Sequence, residues 1–270
     1  MPIAEEDLQA IAEARALLEN PGLAVKLTNV AGKPIEKGFE LLPPRWRDKV
    51  SVITRDALNA ALGVAIASMG TSAIAARPRL HKLAAAASGA AGGAFGLASL
   101  AVELPVSTTI ICRSIADIAR SHGEDLALPE ARLACIEVFA FGGETPADDA
   151  SETAYFAMRA ALSRAVSEAA EYLATRQAAD AGAPALVRLV SLIATRFKVQ
   201  VSQKAAAMAI PIVGAAGGAA INYLFIDHFQ SMSRGHFAIR RLERKYGEDI
   251  VRRAYEDFAP SSGTTGIKPA

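Results

Sequence analysis

Two long apolar segments decide the architecture of this chain, LAAAASGAAGGAFGLASLAV at residues 83–102 and AAAMAIPIVGAAGGAAINYLFI at residues 205–226. Both contain the hexapeptide GAAGGA, at Gly89 to Ala94 and at Gly214 to Ala219, and neither contains a charged side chain. Each segment is long enough to cross a bilayer or a globular core as a helix. Because glycine weakens a helix by about 0.8 to 1 kcal/mol per residue relative to alanine, we expect both helices to need an apolar neighbour. Small residues at four-residue spacing would allow the two helices to pack at backbone distance.

Charged residues flank the two segments in the same order. Lys82 precedes the first segment and Glu103 closes it, whereas Lys204 precedes the second and Asp227 closes it. The two acidic residues follow their hexapeptides at nearly equal distances. This pattern resembles a diverged internal repeat, but chance recurrence of short alanine and glycine words is the favoured explanation.

The composition favours an all-α fold. Hydrophobic residues make up 51% of the 270-residue chain, and alanine supplies much of that fraction. Small side chains suit closely packed helices better than a sheet sandwich, which needs β-branched bulk. We therefore predict a helical bundle with two central Gly/Ala-rich apolar helices, forming a single domain over residues 1–260 with a disordered tail at 261–270.

The balance of charge argues against a nucleic-acid partner. The chain has 29 basic and 28 acidic residues, so no global field attracts it to nucleic acid. Cys112 and Cys135 lie in apolar surroundings without a CxxC partner, and the acidic start MPIAEEDLQA does not resemble a signal peptide. These features predict buried thiols and a cytoplasmic location.

The apolar segments leave three alternatives for their environment. The five strongly apolar residues of the first segment favour insertion by only about 2 kcal/mol in total. The second segment carries Pro211 and Asn222. A buried helical core in a soluble or peripheral protein is therefore favoured over shallow membrane insertion, and both are favoured over true spans.

Polar residues near the ends of the segments form the candidate site. They are Glu103, Arg113, Asn222, Asp227, His228, His236, Arg240 and Arg241. The favoured interpretation is polar anchoring at the mouth of a helical bundle, where aspartate, histidine and arginine side chains satisfy each other. For Glu103, a position at the surface is favoured over a costly buried pair with Arg113 or with Asp227 as partner. The alternative is a metal or anion site built on the histidines, but no ligand spacing such as HExxH supports it.

A second group of basic residues is a candidate contact for an anion or a lipid headgroup. It comprises Arg77, Arg79, Lys82 and Arg234. Catalytic motifs do not stand out: GxSxG is absent, and GAAGGA lacks the Lys-Ser/Thr of a phosphate loop. We therefore assign no catalytic residue, no resident metal and no cofactor.

Three stretches resemble the EcsC family of bacterial proteins. They are GLAVKLTNVAGKPIEKGFELLP near the start, GLASLAVELPVSTTIICRSIADIARSHGEDL with ARLACIEVFAFGG, and IPIVGAAGGAAINYLFIDHFQSMSRGHFAIRRLERKYG. That family is named after a protein encoded beside components of a bacterial transporter, which implies a context at the inner membrane. The resemblance implies no mechanism.

Two functions follow as hypotheses. The first is a non-enzymatic protein that associates peripherally with the cytoplasmic membrane, through lipid or a transporter subunit. The second is a soluble metal-dependent hydrolase that uses Glu103, Asp227, His228 and His236.

Overall fold

A computed structural model describes residues 3–19, 22–32, 34–68, 78–93, 96–142, 154–175, 182–210 and 215–258. Across these ranges the chain forms eleven α-helices and two short 3-10 helices, and they include no β-strand. The predicted all-α helical bundle is confirmed. The predicted tail at 261–270 lies outside the described residues.

The helices follow one another with short connections. They are α1 (Glu5–Glu19), α2 (Leu23–Ala31), α3 (Ile35–Leu41), α4 (Trp46–Ser68), α5 (Pro78–Gly93), α6 (Leu100–Ser121), α7 (Pro129–Glu137), α8 (Ala154–Thr175), α9 (Pro184–Ala209), α10 (Ala215–Tyr246) and α11 (Glu248–Asp257), with 3-10 turns at Gly96–Ser99 and Val138–Ala140.

Each apolar segment is divided between two helices, which corrects the expectation of one helix per segment. The first contributes the end of α5, a 3-10 turn and the start of α6. The second contributes the end of α9 and the start of α10. Ile210 takes an extended conformation (φ −74, ψ 121), because the residue before a proline avoids the helical region.

Helices α5 and α10 pack against each other through glycine. A Cβ atom on Gly89 would overlap the backbone oxygen of Gly218 and would lie 2.6 Å from Cβ of Asn222. The two hexapeptide helices are therefore in direct contact, as their small residues predicted. The internal repeat stays a prediction.

One continuous apolar core joins the helices from Ile11 in α1 to Tyr255 in α11. Its centre holds a group of phenylalanines: the ring of Phe139 lies 5.1 Å from that of Phe229, which lies 5.1 Å from that of Phe225. Cys112 and Cys135 are free and buried, as predicted. Burial raises the pKa of the Cys112 thiol to about 12.

The C-terminal half of α9 brings several helix ends together. A Cβ atom on Gly38 of α3 would overlap the backbone of Ala206, and Glu103 of α6 contacts Lys204. The start of α4, at Trp46, shares a cavity with Ser202. The starts of α4 and α6 therefore lie at the same end of the bundle as α3.

Candidate functional site

The charged residues that flank the two apolar segments form ion pairs with each other. The lysine before each segment pairs with the acidic residue after the other segment. Lys204, which precedes the second segment, lies 2.7 Å from Glu103, which closes the first. Lys82, which precedes the first segment, lies 2.6 Å from Asp227, which closes the second. Two ion pairs of the same pattern thus tie α9 to α6 and α5 to α10.

The pair of Lys204 and Glu103 is inside the bundle, where only 1% of the lysine side chain is exposed. Asn222 donates one hydrogen bond to Oε1 of Glu103 (2.6 Å) and another to the backbone oxygen of Ala85 (3.0 Å). The ammonium group of Lys204 also lies 4.7 Å from the ring centroid of Phe225. Four helices therefore meet at one buried polar network.

Electrostatics favour a charged carboxylate at Glu103. Burial alone would raise the pKa of Glu103, but the charge of Lys204 and hydrogen bonds from Lys204 and Asn222 outweigh it and lower the pKa below its usual value. Burial lowers the pKa of Lys204, and the charge of Glu103 opposes that shift. Such a pair is costly to desolvate, so its main effect is to fix the register of the helices that hold it.

The second pair is nearer to solvent. Asp227 accepts hydrogen bonds from Lys82 at 2.6 Å and from Lys26 of α2 at 3.3 Å. Burial opposes ionisation of Asp227, but the hydrogen bond and charge of Lys82, with the charge of Lys26, lower its pKa. The Lys82 ammonium lies 5.0 Å from the Tyr223 ring centroid.

The two candidate histidines are buried in aromatic surroundings. His228 meets the ring of Phe229 edge-on, with centroids 4.8 Å apart. Nδ1 of His236 lies 2.9 Å from the Tyr155 hydroxyl. Burial lowers the pKa of His236 well below its usual value, with nearby Arg159 adding to the effect, so this imidazole is neutral.

The structure does not assemble the predicted metal constellation. Glu103 and Asp227 have lysine partners on different helices, and His236 pairs with a tyrosine. Within the described ranges, no group of three or more His, Cys, Asp or Glu side chains is placed to hold a metal ion. The described residues therefore do not group Glu103, Asp227, His228 and His236 as metal ligands, and lysines on neighbouring helices pair with both carboxylates.

The remaining candidate arginines are dispersed. Arg113 is exposed on α6, whereas Glu103 is buried and pairs with Lys204, which corrects the expectation of a surface position for Glu103. Arg240 makes two hydrogen bonds with Glu124, at 2.9 and 3.1 Å. Arg241 lies 3.9 Å from Asp7 of α1.

Of the predicted headgroup contacts, only two have described side chains. Lys82 is bound to Asp227, and Arg234 is exposed and donates to Ser231. Arg79 belongs to α5, but its side chain lies outside the described part, and so does the whole of Arg77.

Exposed apolar residues lie on α3 and on the first turns of α4 and α6, which are all placed beside the C-terminal half of α9. We call this region the apolar end and define it by its exposed residues Phe39, Leu41, Val52, Val102 and Val106. Val102 is 75% exposed, the highest value among the large apolar residues described. A cavity of about 430 Å³ opens beside it, lined by Phe39, Leu42, Trp46, Val50, Lys198 and Ser202.

Sequence reasoning missed the partner of Glu103 and the role of Trp46. The flanking order of charges was visible, but the pairing joins residues 101 positions apart along the chain. Nothing in the local pattern of Trp46 distinguishes a cavity wall from an ordinary core position.

Comparison with known proteins gives one match. No curated protein and no solved structure matches the chain. The model of the EcsC protein family matches residues 5–242. Since this match spans most of the 270 residues, the chain belongs to the EcsC protein family.

Proposed function

We propose that this protein associates peripherally with an anionic lipid membrane through its apolar end, without chemical turnover. The observation that carries the proposal is the exposure of large aliphatic side chains along the first apolar segment. Val102 is 75% exposed at the start of α6, and Leu83 is 69% exposed on α5. The chain between these two residues contains no charged side chain. Large exposed apolar side chains of this kind are typical of a contact site for a membrane or a protein.

The surroundings of Trp46 favour lipid as the partner. Tryptophan is enriched at the membrane–water interface, where its ring contacts both apolar and polar groups. Trp46 lines the apolar cavity, and the ammonium of Lys49 lies 5.4 Å from its ring centroid. Lys198 lines the same cavity. Two lysines beside an apolar surface suit the phosphate groups of anionic lipids.

A peripheral arrangement fits the helices better than a spanning one. Two described segments, Asp48–Ala67 and Leu97–Ser121, are long and apolar enough to cross a membrane by length and composition alone. About half of each is buried within the bundle, at 44% and 50%. The second segment also contains Glu103, whose partner Lys204 belongs to another helix. Spanning would require that pair to be broken in lipid, at high cost.

Vesicle flotation tests the proposal with two matched double variants. The first, Val102→Asp with Val106→Asp, places two charges on the apolar end. The second, Val187→Asp with Leu192→Asp, places two charges on exposed positions of α9 that precede its contacts with the apolar end. Each variant exchanges two exposed apolar residues for aspartate, so we expect the two variants to have similar effects on folding.

We expect the wild-type chain and the α9 variant to float with vesicles that contain phosphatidylglycerol. The α6 variant should stay in the unbound fraction, because aspartate at the interface opposes both apolar burial and attraction to anionic lipid. Recovery of the wild-type chain in the unbound fraction would contradict the proposal. Equal loss of binding in both variants would contradict the assignment to the apolar end.

A further inference from the structure

A second cavity, of about 440 Å³, lies among α7, α8, α10 and α11, away from the residues of the apolar end. Its wall contains both polar and apolar side chains. The polar side chains are Glu130, Glu137, Arg159, Ser163, Ser167, Arg240, Glu248 and Arg252. Phe156, Ala160 and Val166 supply the apolar side. The volume is within the usual range for small-molecule sites.

Glu137 is the most unusual residue of this wall. It is only 6% exposed, although it carries a carboxyl group. No side chain in the described part of the protein makes a hydrogen bond or an ion pair with it. Burial raises its pKa to about 7, against the opposing charges of Arg159 and Arg240. A buried acid without a bonding partner is rare in proteins and needs an explanation.

The arginines of the cavity already pair with carboxylates outside its wall. Arg159 binds Glu243 through two hydrogen bonds, at 2.6 and 3.1 Å. Arg240 binds Glu124 in the same bidentate manner, and Arg244 shares that carboxylate. Each fork-shaped pair uses two guanidinium donors and offsets the positive charge that would attract a further anion.

The third arginine of the cavity, Arg252, also pairs with a carboxylate outside the wall. Arg252 lies 3.1 Å from Glu256, which does not line the cavity. By contrast, none of the three glutamates of the wall, Glu130, Glu137 and Glu248, has an ion-pair partner among the described residues. The charge left uncompensated in the cavity is therefore negative.

We propose that this cavity binds an organic cation of the alkylamine class, with an ammonium group bound to the carboxylate of Glu137. The alkyl chain would lie along Phe156, Ala160 and Val166. A second ammonium of a diamine or polyamine would meet Glu130 or Glu248 at the exposed rim. A metal ion is a poorer occupant, because the described carboxylates are not grouped closely enough to coordinate one.

The shape of the site explains why an extended amine suits it better than a small cation. The acid that needs a partner lies at the buried end, whereas Glu130, Glu248 and Ala160 are exposed at the mouth. A linear chain with an amine at each end can satisfy both positions at once. Binding energy would come from a desolvated charge pair and from apolar contact along the chain.

Calorimetric titration of the full-length protein with spermidine tests this proposal at physiological ionic strength. We expect saturable binding to one site. Glu137→Gln keeps the size of the side chain and removes its charge, so the affinity should fall by about thirtyfold or more. Glu171→Gln is the matched control, since Glu171 is exposed on α8 and does not line the cavity.

A variant that blocks the cavity without changing any charge provides a second test of amine binding. Ala160→Trp should block the mouth of the cavity and abolish binding while all charged groups stay in place. Circular dichroism and thermal melting confirm that both cavity variants are folded.

Three outcomes would overturn the proposal. These are the absence of saturable spermidine binding, equal weakening by Glu137→Gln and Glu171→Gln, and binding of inorganic phosphate in place of the amine. The experiment contains no lipid, so its result is independent of the vesicle assay. Either proposal can therefore fail while the other holds.

Discussion

Lys204 shows how a single residue can link distant parts of this fold. Its long side chain crosses from α9 to Glu103 of α6, and Asn222 of α10 completes the network with Ala85 of α5. Removing one member of a buried ion pair leaves the other charged and unsolvated. Replacing both members with neutral groups avoids that penalty.

We therefore expect Lys204→Met to destabilise the protein by about 3 to 5 kcal/mol. The double variant Lys204→Met with Glu103→Gln should recover most of this loss, because the new amide still accepts the hydrogen bond from Asn222. Urea denaturation of the wild type, both single variants and the double variant measures the coupling. Additive losses in the double variant would show that the two side chains do not depend on each other.

Glu137 gives a prediction for the dependence of the protein's stability on pH. Its pKa rises from an ordinary 4.5 to about 7 in the folded state, so the native protein binds more protons than the unfolded chain between these values. Stability therefore falls as pH increases through that window. Glu137→Gln should increase the free energy of unfolding at pH 8 by on the order of 3 kcal/mol and change it little near pH 4.

Urea denaturation of this variant and the wild type at both pH values provides the measurement. Glu171→Gln serves again as the control, and its effect should be small at either pH. A Glu137→Gln variant that is less stable than the wild type at pH 8 would show that the carboxylate is stabilised within the fold.

At the scale of the helices, the contact of α5 with α10 depends on the absence of a side chain at Gly89. Gly89→Ala should destabilise the protein, because the new Cβ would overlap the Gly218 oxygen and the Asn222 side chain. Gly63 in α4 provides a matched control, since a Cβ there meets no atom within 4 Å. We expect Gly63→Ala to stabilise the protein by about 0.5 to 1 kcal/mol through helix propensity alone.

Thermal unfolding measures both effects: we expect Gly89→Ala to lower the melting temperature and Gly63→Ala to raise it. If Gly89→Ala also raised the melting temperature, the packing of the two hexapeptide helices would have to be looser than the contact of Gly89 with Gly218 implies.

The sequence predicted the class of these elements better than their ends. Alanine content and apolar periodicity are local properties, and they were sufficient to indicate helices and a contact between the hexapeptides. The ends were wrong where one apolar segment contributes to two helices, since α9 stops before Pro211 and α5 stops after Gly93. The end of α9 follows from Pro211, which is a local signal. The end of α5 depends on which neighbours bury its weak glycine-rich turns, and that information is not local.

The candidate site was predictable only in part for the same reason. Glu103, Asn222 and Asp227 were identified as candidate site residues, but the lysine partners of the two acidic residues come from elsewhere in the chain. Lys82 and Asp227 are separated by 145 positions. Glu137 gave no signal, because its neighbours Ile136 and Val138 make it resemble an ordinary helix residue.

At the scale of the whole molecule, the two proposals use different surfaces of one helical bundle. The apolar end is formed by α3 and the starts of α4 and α6, whereas the amine cavity is formed by α7, α8, α10 and α11. Helix α10 runs from the Asn222 network to Arg240 at the cavity. The same helix therefore contacts both the network beneath the apolar segments and the polar cavity.

Peripheral association predicts that the bundle stays closed on the membrane. The two cysteines report this directly, because Cys112 is buried in α6, within the segment Leu97–Ser121. Cys135 is buried in α7, outside both segments long enough to span a membrane. Burial raises the pKa of each thiol, so the reactive thiolate is scarce while the fold is intact. Labelling by a water-soluble thiol reagent should be slow in the free protein and equally slow on anionic vesicles.

Protein unfolded in urea supplies the fast reference rate for both thiols. If the helices instead separated to cross the bilayer, α7 would lose the neighbours that cover Cys135, and vesicles would accelerate its labelling. Mass spectrometry of the labelled peptides distinguishes the two cysteines. Faster modification of Cys135 on vesicles would contradict peripheral association and indicate insertion. Unchanged protection together with flotation would indicate that the intact bundle lies on the membrane surface.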